Sequence, residues 1–321
     1  MRITRGRGDL REPSPSGAVT SLGVFDGVHL GHQAILARNV ELARELGAEP
    51  TVVTFSSHPK AVLLGRAPRT LTTLDHRLEH FERAGIEHTL VLPFDEEVRR
   101  TPAQTFAEEL LVERLRTRHF VLGFDSKFGV GREGDADFLR GLGHPVTVVP
   151  MVVIAKRGVS STAIREAVEL GDLEGAQRML GRRVSVLGEV VHGNRLGHEL
   201  GFPTANLDLH HELHPPVGVY ACQASLLEDA SRSAVESRHP AVANIGFRPT
   251  VDGERPALPL VEVHLLDFQG ELYGRRLEVE FVRCLRGEQK FAGLDALRAQ
   301  IERDVAAARK LFGELGSEAP A

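Results

Sequence analysis

Apolar and polar positions change rhythm near the middle of the chain. From Ala18 to about Leu180, short apolar runs alternate with segments whose apolar residues recur every three or four positions. Ala18 to Val24, Thr51 to Phe55, Thr89 to Leu92, Phe120 to Gly123 and Val146 to Val149 read as buried strands. Leu36, Val40 and Ala43, widened by Ile35, Leu42 and Leu46, predict a helix starting near Gln33. Further helical patterns cover Leu74 to Ala84, Pro102 to Leu115, a weaker Asp135 to Leu142, and the stretch carrying Ile164, Ala167, Val168 and Leu170. That order predicts a parallel sheet with helices on both faces. After Gly181-Arg182-Arg183 the period shortens. Val184 to Val191, Gly218 to Leu226, Ala241 to Ile245, Leu260 to Leu266 and Leu277 to Val282 are β-like, with Gly and Pro between them. An antiparallel barrel or sandwich is expected there. It is closed by an amphipathic stretch, Leu294 to Leu311, with Leu294, Leu297, Ile301, Val305 and Ala308 at helical spacing. No Ser- or Pro-rich linker intervenes, so two domains, 1–181 and 182–321, are expected to meet near Gly181.

Composition narrows the class without deciding it. A length of 321 residues favours two domains, and 42% hydrophobic with 26% charged residues is ordinary for a soluble globular chain. The net charge of -5 gives no basic footprint for nucleic acid. Cys222 and Cys284 each lie in an apolar, strand-like run, which reads as buried thiols in a reducing compartment. Met1 to Gly17 carries arginines but no apolar stretch, so it is not a secretory signal, and no run is long enough to span a bilayer. A cytoplasmic protein that engages neither membrane nor nucleic acid is expected.

The candidate chemistry starts at Gly23-Val24-Phe25-Asp26-Gly27-Val28-His29-Leu30-Gly31-His32. A strand hands over to a helix there, so backbone N–H groups and the positive end of the helix dipole collect where a phosphate could sit. Gly27 and Gly31 remove side chains where an anion would approach the backbone. His29 and His32 could donate hydrogen bonds to charge that builds up in phosphate chemistry. An isolated H-x-G-H would be an accident of the surface; here strand, turn and helix all flank it.

Three further stretches fall at the ends of predicted elements. Thr54-Phe55-Ser56-Ser57-His58-Pro59 closes the second strand, where His-Pro is equally well explained as turn chemistry. Gly123-Phe124-Asp125-Ser126-Lys127-Phe128-Gly129 is a glycine-punctuated loop; Asp135, just beyond, is either a polar member of the site or a helix cap. Val159-Ser160-Ser161-Thr162-Ala163-Ile164-Arg165 opens a helix. Capping explains one hydroxyl, whereas three in a row with Arg165 in the first turn make a second phosphate cradle. In the second half, glycines 193, 197 and 201 precede Phe202-Pro203-Thr204-Ala205-Asn206-Leu207. The oxygens of Thr204 and Asn206 suit a hard cation, and Pro203 would fix the backbone that presents Thr204. In Val261-Glu262-Val263-His264-Leu265, Glu262 and His264 share one strand face, which by itself describes any half-exposed antiparallel strand.

Taken together, these motifs resemble the bacterial bifunctional riboflavin kinase/FAD synthetase family. G-x-F-D-G-x-H-x-G-H is similar to its nucleotidyltransferase signature, S-S-T-x-x-R to the motif that grips the ATP phosphates, and G-F-P-T-A-N to its riboflavin kinase signature. The resemblance runs from about Gly23 to Leu311. It implies an α/β nucleotidyltransferase domain built on a Rossmann-like parallel sheet, then an antiparallel β-barrel riboflavin kinase domain with a C-terminal helix. The implied reactions are phosphorylation of riboflavin by ATP to FMN, and adenylylation of FMN by a second ATP to FAD with release of pyrophosphate. His29, His32, Arg165 and Glu262 are then the catalytic residues, Glu262 as general base toward the riboflavin 5′-hydroxyl. Gly23, Phe25, Asp26, Gly31, Asp125, Ser161, Thr162, Gly193, Gly197 and Arg286 are implied to bind nucleotide or flavin, and Thr204 and Asn206 to hold Mg²⁺. Two departures stand out: Ser126 where the family has an aromatic, and Gly158 where it often has a basic residue. They leave open a monofunctional riboflavin kinase with a degenerate adenylyltransferase domain. A flavin-binding regulatory protein, or nucleotidyl transfer to another phosphate-bearing acceptor, are more distant alternatives.

Overall fold

The computed structural model describes residues 1–10, 14–57, 69–192, 200–209, 212–228, 234–247 and 259–317. The chain divides into two compact units: Met1–Thr162 with Met179–Gly181, and Ala163–Arg178 with Arg182–Ala321.

The first unit is a six-stranded parallel sheet. Its elements run β1 (Arg2–Arg5), β2 (Ala18–Leu22), α1 (Leu30–Leu46), β3 (Glu49–Phe55), α2 (Leu74–Arg83), β4 (His88–Leu92), α3 (Glu96–Arg100), α4 (Ala103–Thr105, continuing as a π-helix over Phe106–Arg114), β5 (Thr117–Gly123), α5 (Ala136–Gly141) and β6 (Val146–Val149). The strand order is β1-β4-β3-β2-β5-β6, with every pairing parallel. Side-chain alternation splits the core between the faces. Val52, Val91 and Val121 pack with Leu36, Leu78 and Phe81 of α1 and α2. Their neighbours Val53, Leu92 and Leu122 pack on the other face with Phe106, Leu111 and Leu139. The chain leaves β2 toward β3 on one side and later returns to β5 on the other. The switch point therefore lies beyond the carboxyl ends of β2 and β5, where open α/β sheets bind ligands.

The elements differ from the sequence pattern in several places. Helix α1 starts at Leu30 rather than near Gln33, because His29 is its N-cap. The segment from Pro102 to Leu115 is largely π-helical, which a 3.6-residue period does not announce. An unpredicted edge strand, β1, pairs with β4.

A small hairpin, β7 (Val153–Ile154) and β8 (Arg157–Gly158), ends the first run of elements, and most of the next two helices, α6 (Ser161–Glu169) and α7 (Leu173–Leu180), belongs to the second unit. Strands β9 (Ser185–Val191), β10 (Ala205–Asp208), β11 (Gly218–Leu227), β12 (Val235–Phe247), β13 (Pro259–Leu265) and β14 (Arg276–Arg286) close into a barrel in the order β10-β13-β12-β11-β14-β9. All six pairings are antiparallel. Closure leaves no strand edge unpaired. Helix α8 (Leu294–Ser317) packs Val305, Ala308, Leu311 and Phe312 on Val219, Ala221, Val242 and Leu266. Both thiols are free; Cys222 is buried, but Cys284 is exposed, contrary to the expectation of two buried thiols.

The β1 edge is fastened by a buried histidine. His88, 1% exposed, lies between Arg2 and Thr4: Arg2 Nη2 is 3.2 Å from Nδ1 and Thr4 Oγ1 is 2.9 Å from Nε2. Arginine only donates, so Nδ1 carries the lone pair and Nε2–H donates to Thr4. Burial, helped by the charge of Arg2, depresses the His88 pKa from its ordinary 6.5 to about 4. The unfolded chain therefore binds the extra proton first, and stability falls as pH drops from about 6.5 toward 4, by on the order of 3 kcal/mol from this residue. Denaturant unfolding between pH 7 and 4 is expected to show this slope, and a His88→Gln variant to flatten it.

Candidate active sites

In the first unit, the turn after β2 is held by polar anchors from distant segments. Asp26 is buried, and its Oδ1 accepts from the backbone N–H groups of Leu71 (2.9 Å) and Thr72 (3.1 Å). Gly27 N–H donates to Thr72 Oγ1 at 2.9 Å. Ser161 Oγ donates to the Asp26 carbonyl at 2.9 Å, which ties the start of the second hydroxyl-rich motif to the signature turn. Gln33 Nε2 donates to the carbonyls of Val28 (2.8 Å) and Leu180 (2.7 Å).

The two histidines meet at the start of α1. Their rings stack with centroids 3.7 Å apart and planes 16° apart, and Phe25 sets its ring edge-on to His32 at 5.1 Å. His29 Nδ1 accepts from the His32 backbone N–H at 3.4 Å, leaving Nε2 to carry the ring proton. The glycines of the signature are demanded by the protein itself. Gly27 has φ +82°, and a Cβ there would lie 2.7 Å from Leu71 Cδ1; a Cβ on Gly31 would press the His29 ring at 3.2 Å. Gly23 is half-buried where β2 ends, and Asp125 is exposed beyond the adjacent β5. Ser126, in the position where a ring was expected, accepts from Gly123 N–H at 3.0 Å through its hydroxyl. Phe124, next to it, exposes its ring instead. Asp135 caps α5 by accepting from Phe138 N–H at 2.8 Å, and pairs with Lys127. Thr162 is exposed beside Ser161. Arg165, farther along α6, belongs to the second unit. The His58-Pro59 pair lies outside the described residues.

In the second unit, Thr204, Asn206, Glu262 and Arg286 line one cavity of about 380 Å³. Barrel register creates its polar wall: Asn206 on β10 and Asn244 on β12 both stand opposite Glu262 on β13. His264 Nδ1 donates to the carbonyl of Pro203 at 2.8 Å and so holds the backbone just before Thr204. Asn206 is buried, and its Oδ1 has no hydrogen-bond partner among the described residues. A buried amide oxygen left unpaired, beside a hydroxyl and a carboxylate, fits a hard cation. Leu297, Ile301 and Val305 from α8, with Phe291 ahead of it, add an apolar side, and Glu288, Gln289 and Asp304 add further polar groups.

Arg286 is firmly held. Its Nε lies 3.1 and 3.0 Å from the two oxygens of Asp304, Nη2 is 2.9 Å from Asp304 Oδ2, and Nη1 donates to the Gly287 carbonyl. Its guanidinium carbon lies 5.6 Å from the Phe291 ring centre. Asn244 and Asp304 carried no assignment from sequence. Asp304 did leave a signal, as an acidic residue on the apolar face of an amphipathic helix, between Ile301 and Ala308. Gly193 and Gly197, expected over the nucleotide phosphates, lie outside the described residues.

Comparison with known proteins matches each half separately and then the whole chain. Residues 11–163 match the family model described as FAD synthetase, and residues 180–312 the one described as riboflavin kinase. The chain thus combines an α/β nucleotidyltransferase-type module with a flavokinase-type barrel. It is 39% identical over 318 residues to the bifunctional riboflavin kinase/FMN adenylyltransferase of Escherichia coli K12, covering 98% of each chain. Its identity to the protein of the same name from Pseudomonas fluorescens is 41% over 315 residues, covering 97% of this chain and 98% of that one. The chain belongs to the bifunctional riboflavin kinase/FMN adenylyltransferase family. Its fold is also similar to a crystal structure named as a macrolide-efflux protein from Streptococcus pneumoniae, with TM-score 0.81, 30% identity, and coverage of 96% of this chain and 99% of that one. Among the described residues, no helix of this chain is long and apolar enough to cross a membrane.

Asp26→Ala is expected to leave the buried N–H groups of Leu71 and Thr72 without an acceptor, at about 2 kcal/mol or more. Hydrogen exchange at those two amides should accelerate, and less so in Asp26→Asn, which keeps an oxygen.

Proposed function

We propose that this chain makes FMN and then FAD: it phosphorylates riboflavin with ATP, and adenylylates FMN with a second ATP, releasing pyrophosphate. The observation that carries this reading is the presence, in one chain, of two separate sets of phosphate-handling groups, in the module order of its bifunctional relatives. A monofunctional kinase receives no support from relatives that match over both halves and carry both names.

In adenylyl transfer, a phosphate oxygen of FMN attacks the α-phosphorus of ATP in line, and the bond to the pyrophosphate oxygen breaks. No covalent enzyme intermediate is needed, so the protein supplies position and charge. His29 and His32, held at the start of α1 with Phe25 edge-on to His32, donate hydrogen bonds to the crowded phosphorus centre. Ser161, Thr162 and Arg165 hold the β- and γ-phosphates. Asp26 shapes the turn through its backbone contacts, Gly23 and Gly31 keep it close, and Asp125 faces substrate from the neighbouring strand end.

In riboflavin phosphorylation, Glu262 accepts the proton of the 5′-hydroxyl as that oxygen attacks the γ-phosphorus and ADP leaves. Thr204 and Asn206 are the residues that would hold Mg²⁺. Bound there with ATP, Mg²⁺ would neutralise charge on the phosphate oxygens. The apolar wall from α8 suits the flavin ring, with Arg286 fixed in place by Asp304, and Gly193 and Gly197 are assigned to the loop over the phosphates. We place the functional boundary near Gly181, giving domains 1–181 and 182–321, and the protein in the cytoplasm, where both reactions draw on ATP.

Glu262→Gln is expected to lower riboflavin phosphorylation by about a hundredfold or more, while FAD formation from supplied FMN persists. His32→Asn should do the reverse. Asn206→Ala should raise the Mg²⁺ concentration needed for half-maximal kinase activity. Product analysis by chromatography of flavins separates the three outcomes, and loss of neither product in either catalytic variant would overturn the assignment.

A further inference from the structure

A buried cation beneath the signature turn takes no direct part in either proposed reaction. Arg77, in α2, is 5% exposed. Its Nη1 donates to the carbonyl of Val24 at 2.6 Å and to Thr54 Oγ1 at 3.1 Å, and its Nη2 donates to the carbonyl of Phe55 at 3.1 Å. Thr54 Oγ1 in turn donates to the Val24 carbonyl at 3.3 Å.

These acceptors lie where the sheet comes apart. Strands β2 and β3 are paired up to Leu22 and Val53, and Gly23 N–H still reaches the Val53 carbonyl at 3.1 Å. Beyond that point β3 continues beside β4, while the chain from Val24 turns toward His29. The planar guanidinium spans the opening: one arm rests on the residue that leads into Phe25-Asp26-Gly27, the other on the residue that leads into Ser56-Ser57. Burial holds the Arg77 pKa below the ordinary arginine range, opposed by the charge of Asp26. Burying a full charge is costly unless its donors are matched. A guanidinium fork meets two carbonyls and a hydroxyl at fixed angles that a single ammonium cannot reproduce.

We propose that Arg77 is a positioning residue for adenylyl transfer. It fixes the spacing between Val24, just past β2, and the carboxyl end of β3, and thereby the placement of His29 and His32 against the α-phosphate. This rests on the reading of the first unit as the FMN adenylyltransferase.

The test compares Arg77→Lys and Thr54→Val with the wild-type chain, assaying both reactions on each preparation. In Arg77→Lys, kcat for FAD formation is expected to fall roughly tenfold to a hundredfold, with KM for FMN and ATP moving by less than about threefold, because positioning is lost rather than binding. Thr54→Val, which keeps the shape and removes the shared hydroxyl, should show a smaller loss of the same kind. Riboflavin phosphorylation should stay within about twofold of wild type in both. Wild-type kcat for FAD formation in either soluble variant overturns the proposal, even if the melting temperature falls. So does a parallel loss of both activities, which marks a role in general stability. Should Arg77→Lys prove insoluble, Thr54→Val alone decides. Failure of the wild-type chain to form FAD from FMN refutes the assignment of the first unit instead.

Discussion

Between β2 and α1 the chain adopts a shape that its own backbone disfavours. Phe25 and Val28 have φ of 54° and 36°, and Gly27 between them has 82°. Side chains other than glycine resist this region, a β-branched valine most of all, at about 1 to 3 kcal/mol each. Such a turn persists only if its surroundings over-determine it. They do so with polar contacts: Arg77 and Thr54 on the Val24 carbonyl, Thr72 on the Gly27 N–H, Ser161 on the Asp26 carbonyl and Gln33 on the Val28 carbonyl. The parallel sheet supplies the place. These anchors supply the shape in which two imidazoles stack at the start of a helix.

The barrel solves the corresponding problem differently. Its polar wall needs no strained turn, because Asn206, Glu262 and Asn244 form a row across three adjacent strands, set by ladder register alone. A slip of one residue in any of these strands would turn a whole side-chain set to the other face. Register is protected by closure and by the apolar alternation of Val261, Val263 and Leu265, all buried, around Glu262 and His264. Arg286 is fixed in the same spirit, by the carboxylate of Asp304, to which Gln300 also donates at 2.8 Å.

What was legible in the sequence follows from the range of the forces involved. Periodicity is local, so the strands and helices of both halves could be read, and short strings such as H-x-G-H and G-F-P-T-A-N carried the candidate residues. Strand β1 escaped because Arg-Ile-Thr-Arg offers one apolar residue, the partly buried Ile3, and owes its place to β4 far along the chain. Strand β10 has too short a pattern to announce itself, since Ala205 to Asp208 is only four residues long. The start of α1 is hidden in the sequence because a histidine is an unusual N-cap; only the geometry shows that its ring accepts the first-turn N–H. The anchors were invisible for a different reason. Asp26 and Thr72, or Val24 and Arg77, are 46 and 53 residues apart, and no pattern of spacing links them.

The two constructions imply different sensitivities. A site whose shape rests on long-range side-chain anchors can be disturbed by changes at residues that never meet substrate, since each lost anchor frees a strained backbone to relax. A site whose shape rests on a closed ladder tolerates changes at such distant positions and is disturbed chiefly at the lining residues, or where register itself is broken. The unpaired oxygen of Asn206 completes the contrast. In the first unit, the carbonyls of Val24, Asp26 and Val28 and the N–H of Gly27 are paired within the protein and hold a shape in readiness. In the second, a buried acceptor has no partner among the described residues, and a ligand that met it would lower the energy of that part of the wall.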